Sequence, residues 1–232
     1  MTQARSSRWT RLPPRRPNDH VRRLLTVTPA DDPGERLERL AGVWRETAEA
    51  VRTRGGQAED PVVDPPASDQ AIGSRIPSGV RDLLHLVGGA AFSWTLEQTP
   101  GPEWGSAQWT PASVSAAERD RRDWVQAAFP APDDPYDAVW HGKFGLLSVR
   151  NGDCIAVDLQ APGEPVVYLS HDDGDGHGMR LGHSAVDFIR RWTMLGCVGP
   201  EGWELAPFER DGILDPDSRA GREWRAWLRQ GR

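Results

Sequence analysis

Apolar positions along the chain fall into separate runs with two different periods. From Asp32-Pro33 onward, Leu37, Leu40, Ala41, Trp44, Ala48 and Val51 recur at spacings of three and four, with charged residues between them. That spacing predicts an amphipathic helix opened by the Asp-Pro pair and stopped at Gly55-Gly56. Residues 57–75 carry Pro61, Pro65 and Pro66 among acids and small residues and read as a loop. A shorter helix is predicted next, with Ser78 at its N-cap, Val80, Leu83, Leu84 and Val87 on one face, and Gly88-Gly89 at its end. Residues 90–98 have the aromatic and β-branched content of a strand, and Trp104 and Trp109 mark a second one. A third helix is expected from Ser113 to Phe129, capped by Ser113 or Ser115, with Val125, Ala128 and Phe129 turned inward beside Trp124.

The strongest period-two signal follows. Two apolar runs flank Asn151-Gly152, a pair that accepts the positive φ angles of a tight hairpin turn. In the second run Ile155, Val157 and Leu159 alternate with Cys154, Ala156 and Asp158, which predicts one apolar face and one small or polar face. The run "VVYLSH" after "APGEP" completes a three-strand meander. Helices are then predicted over 183–197, with Ser184 near the cap and Val186, Phe188, Ile189, Trp192 and Leu195 as its apolar set, and over about 217–229, burying Trp224, Trp227 and Leu228. Helices and strands do not alternate in βαβ fashion. The expected class is therefore α+β, an antiparallel sheet backed by helices.

Charge divides the chain unevenly. Residues 1–30 hold seven arginines against Asp19, or +6, so with −6 for the whole chain the remainder carries −12. The first segment has no apolar period and reads as a flexible Arg-rich tail, followed by an α+β domain over 31–200 and a helical extension over 201–232 packed on it. An acidic body repels phosphate backbones and favours basic partners. No nucleic acid is therefore expected on the folded part. Two cysteines, Cys154 and Cys197, are too few for a disulfide framework and lie in no metal-type pair. No apolar run is long enough to span a membrane, and none forms the core of an export signal. A cytoplasmic protein is expected.

The stretches "IPSGVRDLLHLVGG", "NGDCIAVDL" and "GEPVVYLSHDDGDGHGMRLGHSAVDFIRRW" together resemble the SUKH superfamily, over about residues 35–197. The resemblance implies an antiparallel sheet backed by helices and a scaffold pattern of Pro77, Gly88, Gly152, Asp153, Asp158, Ser184 and Phe188. Ile76, Asn151 and Ala185 depart from the family's usual Leu, Gly and Phe. It also implies non-catalytic work: bacterial members are mostly taken to be immunity proteins that neutralise polymorphic toxins, often nucleases, and fungal members act as interaction hubs in cell-wall regulation. No catalytic residue is implied.

The residues themselves offer two kinds of site. The turn with Asp172, Asp173 and Asp175 is expected to form an acidic patch for a basic protein partner such as a toxin domain. Asp133, Asp134 and Asp137 would join it in space. Trp104, Trp109, Trp140 and Tyr136, placed among polar neighbours, are candidate aromatic anchors. His171, Asp173, Asp175 and His177 could instead ligate a metal in a hydrolase, but their spacing matches neither an EF-hand nor a zinc signature. No cofactor is expected. Cys154, on a strand without a nucleophile motif, reads as a packed residue.

Overall fold

The computed structural model describes residues 33–172, 174 and 176–230. The Arg-rich segment, Asp173 and Asp175 lie outside them. Helix α1 (Pro33–Thr53) buries Leu40, Trp44, Ala48 and Val51, the stripe its period predicts. Trp44 stacks on Phe92 at 5.4 Å and meets Trp109 edge-on at 5.8 Å, so one large aromatic cluster centres the core. The stretch expected to be loop instead holds strands β1 (Gln57–Ala58) and β2 (Val62–Asp64) and helix α2 (Asp69–Ile72). Two- and three-residue strands show no period of their own. They form because β3 (Gly89–Thr95) offers them a hydrogen-bonding edge. Strand β4 (Trp104–Trp109) pairs with the other edge of β3, and the whole four-stranded sheet is antiparallel.

Helix α3 (Ser78–Leu86) precedes that sheet, and its cap differs from the expectation. Pro77 occupies the N-cap, while Ser78 is already helical and donates its hydroxyl to Glu164, which also accepts the Gly79 N–H at 2.7 Å. A carboxylate reaching across from a distant loop serves a free helix N–H here, where a local cap was expected. Helix α4 (Pro111–Ala127) begins earlier than predicted, because Thr110 and Ser113 exchange a reciprocal capping box. It buries Val114, Ala117, Glu118 and Arg121, leaving Ala128 exposed and Trp124 and Val125 half-buried.

The larger sheet has the order β5-β6-β7-β8-β10-β9. Strands β5 (Lys143–Ser148), β6 (Cys154–Asp158) and β7 (Val166–Leu169) form the predicted meander, and β8 (Arg180–Gly182) extends it antiparallel. Helices α6 (Ala185–Met194) and α7 (Gly202–Leu205) and a short 3₁₀ turn (Ala206–Phe208) then cross over, so β10 (Ile213–Leu214) returns parallel to β8, with β9 (Glu209–Arg210) on its outer edge. This parallel pair departs from an all-antiparallel sheet; a crossover long enough to hold helices is what allows it. Residues after 200 are thus part of the sheet and core, with Leu205, Phe208, Leu214, Trp224 and Leu228 in the main cluster and helix α8 (Arg219–Arg229) closing it.

Strand β6 is covered on both sides, which corrects the one-sided reading. Ile155 and Val157 join the main core, whereas Cys154 and Ala156 pack in a second cluster with Phe129, Trp140, Val167 and Leu169. Leu159, assigned to the apolar face, lies past the strand end and is exposed. The second cluster exists because α4 and the short helix α5 (Asp137–Trp140) fold over the outer face.

Tryptophan does unusual work at the end of α6. The indole N–H groups of Trp224, Trp94 and Trp192 donate to the carbonyls of Leu195, Gly196 and Val198, and that of Trp44 donates to the Thr193 hydroxyl. The 195–200 stretch is buried throughout, so its carbonyls need these donors. Among the described residues, no helix is long and apolar enough to cross a membrane.

Candidate binding face

Asp153 organises the hairpin end of the larger sheet. Of the Asn151-Gly152 pair, only Gly152 takes a positive φ, 101°; Asn151 serves through its side chain, which donates to the Asp153 carboxylate at 2.7 Å and accepts the Asp153 N–H. The same carboxylate accepts the Tyr168 hydroxyl, the His171 backbone N–H at 2.8 Å and His171 Nδ1–H at 2.7 Å. Burial alone would raise its pKa; the hydrogen bonds from Tyr168, His171 and Asn151 outweigh burial and hold it below the usual carboxylate range. These bonds fix where the following turn leaves the sheet.

The turn is tied to the acidic loop at Ser170, whose side chain is fully buried. Its carbonyl accepts from Tyr136 Oη at 2.6 Å and Trp140 Nε1 at 3.1 Å, its N–H donates to His177 Nδ1, and its hydroxyl donates to Asp172. The Tyr136 ring stacks on His177 at 3.9 Å. The loop with Asp133, Asp134 and Asp137 and the turn with Asp172 therefore meet. Within the loop, Asp134 caps the N–H groups of Tyr136 and Asp137, and Asp137 accepts from Ala131 N–H. Asp133 and Asp172 are exposed.

The anchor candidates fare differently. Trp109 and Trp140 are both 0% exposed, so neither can anchor a partner; Trp109 belongs to the aromatic core and Trp140 is held by Ser170. Their polar sequence neighbours point to the opposite strand or helix face, which is why the local pattern misled. Tyr136 is half-buried against His177, and Trp104 is half-exposed. Sequence reasoning missed Trp203, which is exposed at 58%. The signal was present in "EGWEL", an indole flanked by glutamates in a segment without apolar period.

The helix that carries Trp203 lies beside the acidic turn. This helix is α7, and a Cβ built on Gly176 would come within 3.6 Å of Gly202 Cα. Trp203 Nε1 donates to Glu201 Oε2 at 2.5 Å. Glu204, next along, is 3% exposed, and neither carboxylate oxygen has a hydrogen-bond partner. Burial first, then the charge of Glu201, pushes its pKa up to about 7, with a smaller push from Glu103. The Trp104 indole N–H lies near enough to lower it somewhat, without the alignment of a hydrogen bond. Strand β4 and the 197–201 stretch hold these groups together: Gly199 N–H donates to the Trp104 carbonyl at 3.0 Å, and Gly105 bridges Val198. Among the described residues, no ion pair involves Asp133, Asp172, Glu103, Glu201 or Glu204.

The same geometry bears on metal ligation. Asp153, His171 and Asp172 form the one group of described residues whose donor atoms cluster closely enough for an ion. The Asp153 carboxylate already accepts four hydrogen bonds, and Asp172 accepts one from Ser170, so an ion there would have to displace the bonds that shape the turn. His177 uses both ring nitrogens, on Ser170 N–H and the Tyr136 carbonyl. The Cys154 thiol is buried and its pKa is pushed up to about 12, so it offers no thiolate near neutrality. Two concavities lie elsewhere. One of about 190 Å³ sits between α1 and α8, and one of about 440 Å³ is lined by Arg190, Arg191 and Arg210, whose guanidinium groups pair with Asp187 and Asp215.

The remaining scaffold positions have structural tasks. A Cβ on Gly88 would strike the Pro65 carbonyl, Asp158 pairs with the buried Lys143 at 3.2 Å, Ser184 caps α6 through Asp187 N–H, and Phe188 stacks on Trp192 at 5.2 Å. No protein-family model, curated protein or solved structure matches the chain.

Proposed function

We propose that the protein is a stoichiometric, non-catalytic binder of a basic protein partner, engaged through the face formed by the acidic loop, the acidic turn and helix α7. The observation that carries this reading is that two acidic groups without basic partners among the described residues lie on adjoining elements: Asp133 and Asp172 where the loop meets the turn, and Glu201 and Glu204 at α7, whose Gly202 approaches the turn at Gly176 and whose Trp203 is exposed. Surface acids are normally interspersed with bases. A cluster of one sign steers an oppositely charged protein and selects against acidic ones. An exposed indole at its edge adds the apolar contact that charge alone does not supply. The resemblance to SUKH proteins narrows the reading to an immunity-type protein that neutralises a toxin domain by direct binding. A nuclease toxin, with its basic surface for phosphate, has the matching charge.

The test is capture from the host's lysate by the wild-type chain and by a quadruple variant, Asp133→Asn, Asp172→Asn, Glu201→Gln and Trp203→Ala, at low and high salt. A basic protein retained near one-to-one by the wild type, lost from the variant and lost in salt, supports the proposal. Equal retention by both chains would sink it. Co-expression then examines the narrower reading: the captured protein should be toxic alone and harmless beside the wild-type chain.

A further inference from the structure

Glu204 raises a question that the packing around it does not answer. A carboxylate shielded from water ordinarily has an arginine, a lysine or several N–H donors for company, and Glu118 in the same molecule has all of these but lysine. Glu204 has no arginine, lysine or aligned donor, only the misaligned Trp104 indole N–H nearby, and the charges that act on it, Glu201 and Glu103, are of its own sign. The groups close to Glu204 are equally specific. Glu201 is half-exposed with its carboxylate oriented by the Trp203 N–H, and the Trp203 ring stands open beside it. Trp104, half-exposed, closes the other side over Gly199.

An aromatic face next to a fixed carboxylate suits a guanidinium, which stacks on the ring while its planar N–H groups bond the oxygens. Above about pH 7, where Glu204 is ionised, its buried charge strengthens the attraction, because it is screened much less than a surface charge. We propose that Trp203, Glu201 and Glu204 form the subsite that receives an arginine side chain of the basic partner, which supplies the counter-charge Glu204 lacks. This rests on the binding reading above and assigns its specificity: Trp203 stacks, Glu201 bonds, and Glu204 adds its buried charge.

Hexa-arginine amide serves as the probe, titrated at low ionic strength and about pH 8 into the full chain and into Trp203→Ala, Glu204→Gln and an exposed control on helix α1, Glu38→Gln. Trp203→Ala is expected to weaken binding about three- to tenfold and Glu204→Gln by a similar factor, with the control within about twofold of wild type. Hexa-lysine of equal charge should bind less tightly than hexa-arginine, since it cannot stack. Glu204→Gln should weaken binding without lowering thermal stability, a combination that a purely structural Glu204 would not give. Wild-type binding that neither variant changes would overturn the subsite while leaving the acidic-face reading intact. Absence of any binding by the wild-type chain would remove both.

Discussion

Two buried glutamates show how much a carboxylate's surroundings decide. Glu118 is 7% exposed and accepts from Arg121, Arg122 and the Gly145 N–H, joining α4 to β5, while Arg121 also donates to the Trp140 carbonyl. Burial would raise its pKa, but Arg121, Gly145 and Arg122 hold it below the ordinary value. Its stabilising effect is therefore present above the unfolded carboxyl pKa and is lost as pH falls through the lower folded value. Glu118→Ala should cost about 3–5 kcal/mol in denaturant unfolding, because it strands a buried arginine. Glu204 has the opposite sign. The folded chain holds its proton up to about pH 7, whereas the unfolded chain releases it near 4.5, so stability declines across that interval and levels off above it. Glu204→Gln should therefore stabilise the fold by on the order of 2 kcal/mol at a pH of about 8, with the gap closing toward the unfolded value; urea midpoints across pH would measure it. An unchanged gap at all pH values would mean that Glu204 finds a donor in solution.

At the scale of elements, the seating of α6 shows the tightest geometry. A Cβ on Gly182 would lie 2.5 Å from the Phe188 backbone nitrogen, so β8 and the first turn of α6 touch backbone to backbone. Asp187 then gathers the His183 N–H, Arg190 and Arg191, and Arg191 reaches on to the Leu214 carbonyl, fastening the crossover to β10. Gly182→Ala forces that contact apart and is expected to cost about 1–3 kcal/mol, whereas Ser184→Ala removes only a cap worth about 1 kcal/mol. Thermal unfolding should rank them in that order, with the serine variant losing about 2–4 °C. A reversed ranking would show that the helix can shift along the sheet. The face proposed to bind sits on elements fastened in this way, since α7 follows directly from the end of α6.

For the whole molecule, the −12 carried by residues 31–232 acts at longer range than any single contact. Association with a basic partner should slow more than about tenfold between low and roughly half-molar salt, while dissociation changes little, as stopped-flow mixing would resolve. Loss through a faster off-rate alone would mean that the contact is apolar and centred on Trp203. The same charge explains why the buried tryptophans matter. A chain whose surface repels itself needs a closely packed interior, and stacked indoles supply large apolar area while their N–H groups serve the carbonyls after α6.

Periodicity by itself determined α1, α3, α6, α8 and the β5-β6-β7 meander, because each of these elements buries a stripe of its own residues and the stripe is written locally. Composition likewise determined that an acidic body follows an arginine-rich beginning. Only the tertiary structure decided which tryptophans are buried, since Trp109 and Trp203 have similarly polar neighbours and differ in what folds over them. It also decided that β6 is covered twice, that β10 runs parallel to β8, and that Glu164 serves the start of α3. These depend on partners tens of residues away, which no local window contains. The candidate face divides the same way: its acidic loop and turn were legible as runs of aspartate, but their junction through Tyr136 and His177, and the burial of unpartnered Glu204 next to Trp203 on α7, arise from long-range packing that sets burial and so the energy of each charge.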